Sequence, residues 1–441
     1  MTQPNQPGAT AVASAPPSSA PAGAAAPAQA GLTGPIAAAE PTRRPADTPR
    51  RLRLLSLGVV VVGIVVGLVG ALVFSALAYS LLRAEADTAQ LIRVQQIETN
   101  LLAADATATN AFLVGGLEPP AQRAAYDQAM TTTGELIAQA AQAQPADADA
   151  LAALNQRVLE YAGLIEQARA NNRQGLPVGA QYLRVASAQL RSETLPILDA
   201  LVSTNAERAT MRMDMWLGYV FVGIAVLGLA AVVAGQVWLS RRFKRTINMG
   251  MLTASIALLA ALVGGTIGLQ QVSAAVGSIQ SGSFAAVNAA AAARIDASNA
   301  KSNESLTLIA RGSGASFEAA WKASADSVVS NLGRLGPTAP ADEWTRYMAV
   351  HNQIRALDDG GNWEGAVALA TGSGPNSANA AFNAFDTRLA DTLDQVSEEA
   401  SAGLSGPRNT LVIAAILTLL LGLAAALLGR RGVAARLREY R

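Results

Sequence analysis

Four long apolar runs constrain this chain more than anything else in it. They cover residues 54–82, 215–239, 249–269 and 410–428, and each is long enough to cross a hydrocarbon core of about 30 Å as a helix. Between the second and third lies Trp238-Leu-Ser-Arg-Arg-Phe-Lys-Arg-Thr-Ile247, which crowds Arg241, Arg242, Lys244 and Arg245 into one short connection. Lys and Arg are retained on the cytoplasmic side of a membrane, so residues 240–248 are predicted to be a basic cytoplasmic hairpin. Arg43, Arg44, Arg50, Arg51 and Arg53 before the first run, and Arg430, Arg431, Arg436, Arg438 and Arg441 after the last, agree with it. The expectation is an all-α integral protein of the plasma membrane with four transmembrane helices. Both termini face the cytoplasm, and two tandem helical bundles, 83–212 and 270–408, stand outside.

Composition supports helices over strands. Hydrophobic residues make up 51% of the chain but aromatics only 5%, so the apolar mass is chiefly Ala, Leu and Val, and Ala and Leu head the helix scale. The net charge of +1 conceals cations gathered at the ends of the apolar runs. Without cysteine there is no disulfide, thiol nucleophile or thiolate metal site, and His351 is the one histidine. No cofactor, no metal and no nucleic-acid partner is expected; membrane lipids are.

Residues 1–50 are Pro, Ala, Gln, Gly and Ser without hydrophobic periodicity and read as a disordered cytoplasmic tail. Ala76-Leu-Ala78 has the form of a signal-peptidase site, but the apolar run before it is too long for a signal peptide, so an uncleaved anchor is expected. Gly63 and Gly67, like Gly264 and Gly268, stand four apart, a spacing that permits close helix approach. Leu91, Val94, Ile97, Leu101 and Leu102 form one stripe at helical spacing, as do Leu151, Leu154, Val158, Tyr161 and Ile165. Gly115-Gly116, Pro145, and Gly175 with Pro177 divide 83–212 into four helices, with a kink at Pro196. The second half repeats the plan. Tyr161 through Gly175 aligns without gaps with Tyr347 through Gly361, and Asp105–Phe112 aligns with Asn299–Leu306. Matched breakers and aromatics, more than identity, suggest a tandem duplication.

No active-site pattern stands out. Asp358-Asp359 and Glu398-Glu399 are adjacent, and neighbours on a helix point apart. Gly312-Ser-Gly314 and Gly372-Ser-Gly374 lack the strand and the Lys-Ser/Thr of a phosphate loop and read as helix breaks. His351 aligns with Ile165 and reads as a packed or rim histidine; Trp321, Trp344 and Trp363 suit core packing or a docking surface. No run has an ionisable residue near its middle, which argues against transport. The residue 429–441 tail and the hairpin are too short for a kinase or a signalling rod. No catalytic, cofactor-binding or metal residue is therefore assigned.

A helical bundle held between two spans resembles the sensory ectodomain of chemotaxis receptors. The four spans, two helical ectodomains and basic cytoplasmic patches over residues 50–441 together resemble the actinobacterial GlnX-type membrane proteins. That resemblance implies a relay between an extracytoplasmic amino-acid-binding lipoprotein (GlnH) and a cytosolic Ser/Thr kinase (PknG). A structural scaffold of the envelope and an accessory subunit of an uptake transporter are the alternatives, and a homo-oligomer is compatible with either. In an up-down-up-down bundle the breaks at 114–120, 173–178, 311–315 and 358–363 lie farthest from the bilayer. They carry Glu118, Arg173, Arg311, Asp358, Asp359 and Trp363 as candidate partner-docking residues. Arg241, Arg242, Lys244 and Arg245 are the candidate cytoplasmic contacts.

Overall fold

The computed structural model describes residues 48–114, 118–243 and 248–438. The Ala/Pro tail up to Asp47, Gly115 and Gly116, Lys244 and Arg245, and residues 439–441 lie outside the described residues. Among those described, every regular element is helical. The protein is an all-α membrane protein with four helices long and apolar enough to cross a bilayer.

Helix α1 (Thr48–Val114) runs unbroken for 67 residues, about 100 Å at 1.5 Å per residue. The first apolar run and the polar helix beyond it are therefore one rod. Ala76-Leu-Ala78 lies inside that rod, with Leu77 and Ala78 buried. The chain returns through α2 (Pro120–Ala143), α3 (Ala148–Arg173), α4 (Val178–Gln189) and α5 (Leu195–Arg212), then enters α6 (Leu217–Phe243). The distortion expected at Pro196 takes the form of a π turn over Leu190–Thr194. A proline lacks the N–H for the preceding turn and crowds the carbonyl four residues back, and a widened turn relieves both.

The second half starts with α7 (Met249–Ser281), which is separated by Gly282 from α8 (Ser283–Ile309). It continues through α9 (Ala315–Leu335), α10 (Ala341–Asp359), the short α11 (Trp363–Thr371), α12 (Ala378–Gly403) and α13 (Ser405–Arg438). Its returning segment is thus split, unlike a simple fourth helix. Gly372 ends α11, and Ser377 caps α12, its Oγ accepting from the Ala380 N–H at 3.2 Å.

At the apolar end α1, α6, α7 and α13 surround a core that includes Phe74 and Phe221, whose rings lie 4.9 Å apart. Gly63 and Gly67 do serve close approach: a Cβ on Gly63 would stand 2.7 Å from the backbone N of Ala426, and one on Gly67 3.0 Å from the Cα of Gly422. Gly264 and Gly268 meet nothing within 4 Å and face outward. Leu57, Leu68, Leu227, Ile256, Ile416 and Leu420 are also exposed, an apolar exterior that suits lipid. Trp216 and Tyr219 are exposed at one margin of α6 and Trp238 at the other, where amphipathic rings are enriched. Asn248 caps α7 and donates its Nδ2 to the Gly432 carbonyl at 3.0 Å, and Gly429 lies against Val59. Gly235 near the end of α6 lies against Leu55 and Met251, so the starts of α1 and α7 and the ends of α6 and α13 meet at one end, which brings together the described basic residues Arg50, Arg51, Arg53, Arg241, Arg242, Arg430 and Arg431.

Candidate functional site

Beyond the apolar end the two halves share a polar seam. The predicted stripe of α1, Leu91, Val94, Ile97, Leu101 and Leu102, is fully buried, as are Leu154 and Tyr161 of α3. But α1 has a second buried face made of Thr88, Gln95, Thr99, Asp105, Thr109 and Asn110, and α8 packs there. Every residue from Lys301 to Leu308 is buried. A helix covered on all sides with polar residues inside must find partners for each of them, because a buried polar group without one is costly.

The partners come from both halves. Asp105, fully buried, accepts from Ser187 Oγ at 2.6 Å, from Ser302 Oγ at 2.7 Å and from Tyr161 Oη at 3.3 Å, with Arg191 Nη1 at 3.1 Å. Arg191 also donates to Ser302 Oγ at 3.0 Å. Gln95 donates to Asn288 at 2.9 Å, and Asn110 donates to the Ala370 carbonyl at 3.2 Å while accepting from Asn379 at 3.1 Å. One carboxylate of α1 is thus satisfied by α3, α4 and α8 together.

A second node lies within the other half. Glu304 of α8 accepts from Lys301 Nζ at 2.7 Å and Tyr347 Oη at 3.2 Å, and His351 Nδ1 lies 2.9 Å away. His351 Nε2 is 3.3 Å from Glu318, and its ring stacks on Trp321 at 3.5 Å between centroids. Burial alone would raise the Glu304 pKa, but Lys301 and then His351 hold it down to about 2. Burial opposes the charged imidazole, yet Glu304 and Glu318 outweigh it and the His351 pKa is raised. His351 is therefore packed, as alignment with Ile165 suggests, but as an ionic centre. The matched residues Tyr161 and Tyr347 each reach a buried carboxylate on a central helix.

Glu98 behaves differently. It is 6% exposed on α1, faced by Asp199 of α5 and Asp296 of α8, and forms no ion pair among the described residues. Burial first, and those two acids next, push its pKa from 4.5 up to about 8. Between those values the folded protein holds a proton that the unfolded chain releases, so stability falls as pH rises through that window. Glu98→Gln is expected to flatten this part of the profile, matching the parent near pH 5 and exceeding it near pH 9. Thermal unfolding of the two full-length proteins at the two pH values checks this.

The sequence-predicted residues lie in two groups at the end of the polar region away from the spans. Glu118 is largely covered and pairs with Arg169 Nε at 2.9 Å; Arg173 is exposed on the last turn of α3. Arg311, Trp363, Asp358 and Asp359 form the second group. Trp363, expected to pack in the core or to stand exposed on a docking surface, is half-buried: its Nε1 donates to the Leu308 carbonyl at 2.9 Å, and Arg311 lies over its ring at 3.8 Å. Arg311 takes φ 41°, unusual for a residue with a side chain, next to Gly312 at φ 79°. The adjacent Asp358 and Asp359 do converge, because Arg355 spans both, Nη1 to Asp358 at 2.7 Å and Nη2 to Asp359 at 2.5 Å. Arg241 and Arg242 are exposed on the last turn of α6. Asp105, Lys301, Glu304 and His351 were missed as a functional group in the sequence. Charged and hydroxyl residues on the otherwise Ala-rich α8 were the available signal. Among the described residues no cluster of His, Asp and Glu could hold a metal ion.

The family model of the actinobacterial sensor domain matches residues 80–214. That stretch starts inside α1, takes in the helices α2 to α5 and ends just before α6. This part of the chain is similar to a sensor domain, which points to sensing or signalling. Comparison with curated proteins and with solved structures gave no match.

Proposed function

We propose that the protein is a non-enzymatic transmembrane relay that couples an extracytoplasmic solute-binding lipoprotein to a cytosolic effector kinase. The observation that carries the reading is the sensor-domain match, which lies on helices tied to the apolar runs: α1 passes from one into the other without a break. A displacement of α1 at the polar end is then a displacement of its apolar segment, without any chemistry. The basic clusters support a cytoplasmic side for the apolar end's arginines and for both termini, since Lys and Arg are retained on that side. Partner binding shifts such a system only if the partner prefers one arrangement of the helices. The satisfied node at Asp105 supplies a joint between halves that such a preference can act on.

Topology comes first. Cysteine at exposed Ser313 is expected to label from outside intact cells and cysteine at Arg242 is not; labelling at Arg242 from outside overturns the reading. Gly314 is unsuited to this test, because a Cβ there would stand 2.7 Å from the Thr307 carbonyl. For the partner, exposed Arg311 and Asp359 are the better probes, since Trp363 is tied to Leu308. Arg311→Glu with Asp359→Lys is expected to abolish co-purification of the lipoprotein while leaving helix content intact. Retained capture moves docking off this tip, and capture indifferent to extracellular glutamate or aspartate favours a scaffold.

A further inference from the structure

We propose that the far end of the first half binds a small organic carboxylate with a short apolar chain. A cavity of about 260 Å³ lies there between α1, α2, α3 and α4. Its size falls just below the roughly 300–1,000 Å³ of ordinary small-molecule sites, which restricts it to small ligands. Phe112, Ile165 and Leu183 supply apolar wall. Four charged side chains also line it: Glu118, Arg123, Arg169 and Arg173.

Two of the three guanidinium groups are balanced by neighbouring acids, so the preference for an anion rests on the third. Arg169 is committed: it pairs with Glu118 at 2.9 Å and Glu166 at 2.8 Å, and its guanidinium lies 4.0 Å from the centroid of Tyr126. Arg123 is committed to Asp127 at 3.0 Å and Glu166 at 3.1 Å. Arg173 has no acidic partner within ion-pair distance among the described residues and is exposed. A planar carboxylate matches its fork of donors, and the apolar wall behind accepts a short hydrocarbon segment. An inorganic anion leaves that wall unused; an amine meets the wrong charge.

The cavity lies wholly within the stretch that matches the sensor domain. The inference deepens the sensing reading and depends on it only for what occupancy is used for. Binding itself stands on the cavity, so loss of partner capture with intact binding counts against the relay, and the reverse counts against the pocket.

The test uses the full-length protein in detergent with sodium 4-methylpentanoate as probe, followed by calorimetry and thermal shift. Saturable binding in the millimolar range or tighter is expected, with a raised midpoint of unfolding. Arg173→Gln is expected to weaken it about fivefold, and Arg184→Gln, an exposed change on α4 away from the cavity lining, leaves it unchanged. Arg173 is exposed on a last helical turn, so its replacement does not threaten the fold. No saturable binding overturns the proposal. So does equal binding of 3-methylbutylamine, of sodium sulfate, or of the carboxylate to the Arg173→Gln variant.

Discussion

Glu304→Ala is expected to lower the unfolding free energy by about 3–5 kcal/mol, the cost of stranding a buried charge. Lys301 is 3% exposed and His351 1% exposed, so neither can turn to water when the shared carboxylate is removed. The pH dependence gives the effect a signature. The Glu304 pKa is lowered from 4.5 to about 2, so its contribution is complete above 4.5 and lost as pH falls through about 2. The His351 pKa is raised from 6.5, so its contribution is complete below 6.5 and lost as pH rises through the folded value. The gap between parent and variant should therefore be widest between pH 4.5 and 6.5. Lys301→Met combined with Glu304→Gln should recover much of the loss, since the pair is then neutral and His351 keeps Glu318 as its acidic neighbour. Chemical unfolding of the full-length protein, followed by helical circular dichroism, decides. A Glu304→Ala midpoint equal to the parent's would remove the ionic centre from any account of the fold.

Gly422→Val should be equally damaging by a different route. The Cβ of any residue at 422 would fall against the Cα of Gly67 and stand 2.5 Å from the Gly63 carbonyl oxygen. Both obstacles are backbone, so no rotamer change relieves the clash and α1 and α13 must separate. Overpacking against side chains costs about 1–3 kcal/mol, and a backbone obstacle takes this to the upper end or beyond. The matched control is Gly264→Val, where nothing lies within 4 Å. Thermal unfolding in detergent, read by tryptophan fluorescence, should show a large drop for the first and almost none for the second. Equal midpoints would mean that α1 and α13 do not cross at these glycines.

The sequence by itself determined the class of fold and most of its punctuation. Runs of apolar residues and the placement of Gly and Pro act locally, through backbone geometry and hydrogen bonding within one helix. For that reason the four apolar helices, the stops near Val114 and Ala143, and the distortion before Pro196 could all be read directly. The stripe from Leu91 to Leu102 was legible too, because spacing alone puts those residues on one face. Which face meets which partner is a different question, answered only when helices far apart in the chain come together. Gly63-x-x-x-Gly67 and Gly264-x-x-x-Gly268 are indistinguishable as strings, yet the first touches α13 and the second touches nothing. Likewise nothing in the string of α8 says whether its Lys301, Ser302, Glu304 and Ser305 meet water or protein. In the folded protein both sides are covered: Asp105 of α1 draws Ser302 into the joint between halves, while Glu304 gathers Lys301, Tyr347 and His351 within its own half. A polar residue at helical spacing is the same signal whether it meets solvent or a carboxylate from a residue nearly 200 positions away. Burial decides between them, raising the Glu98 pKa by desolvation, while the buried ionic partners of Glu304 and His351 outweigh desolvation and move theirs the other way; both exist only in the tertiary structure.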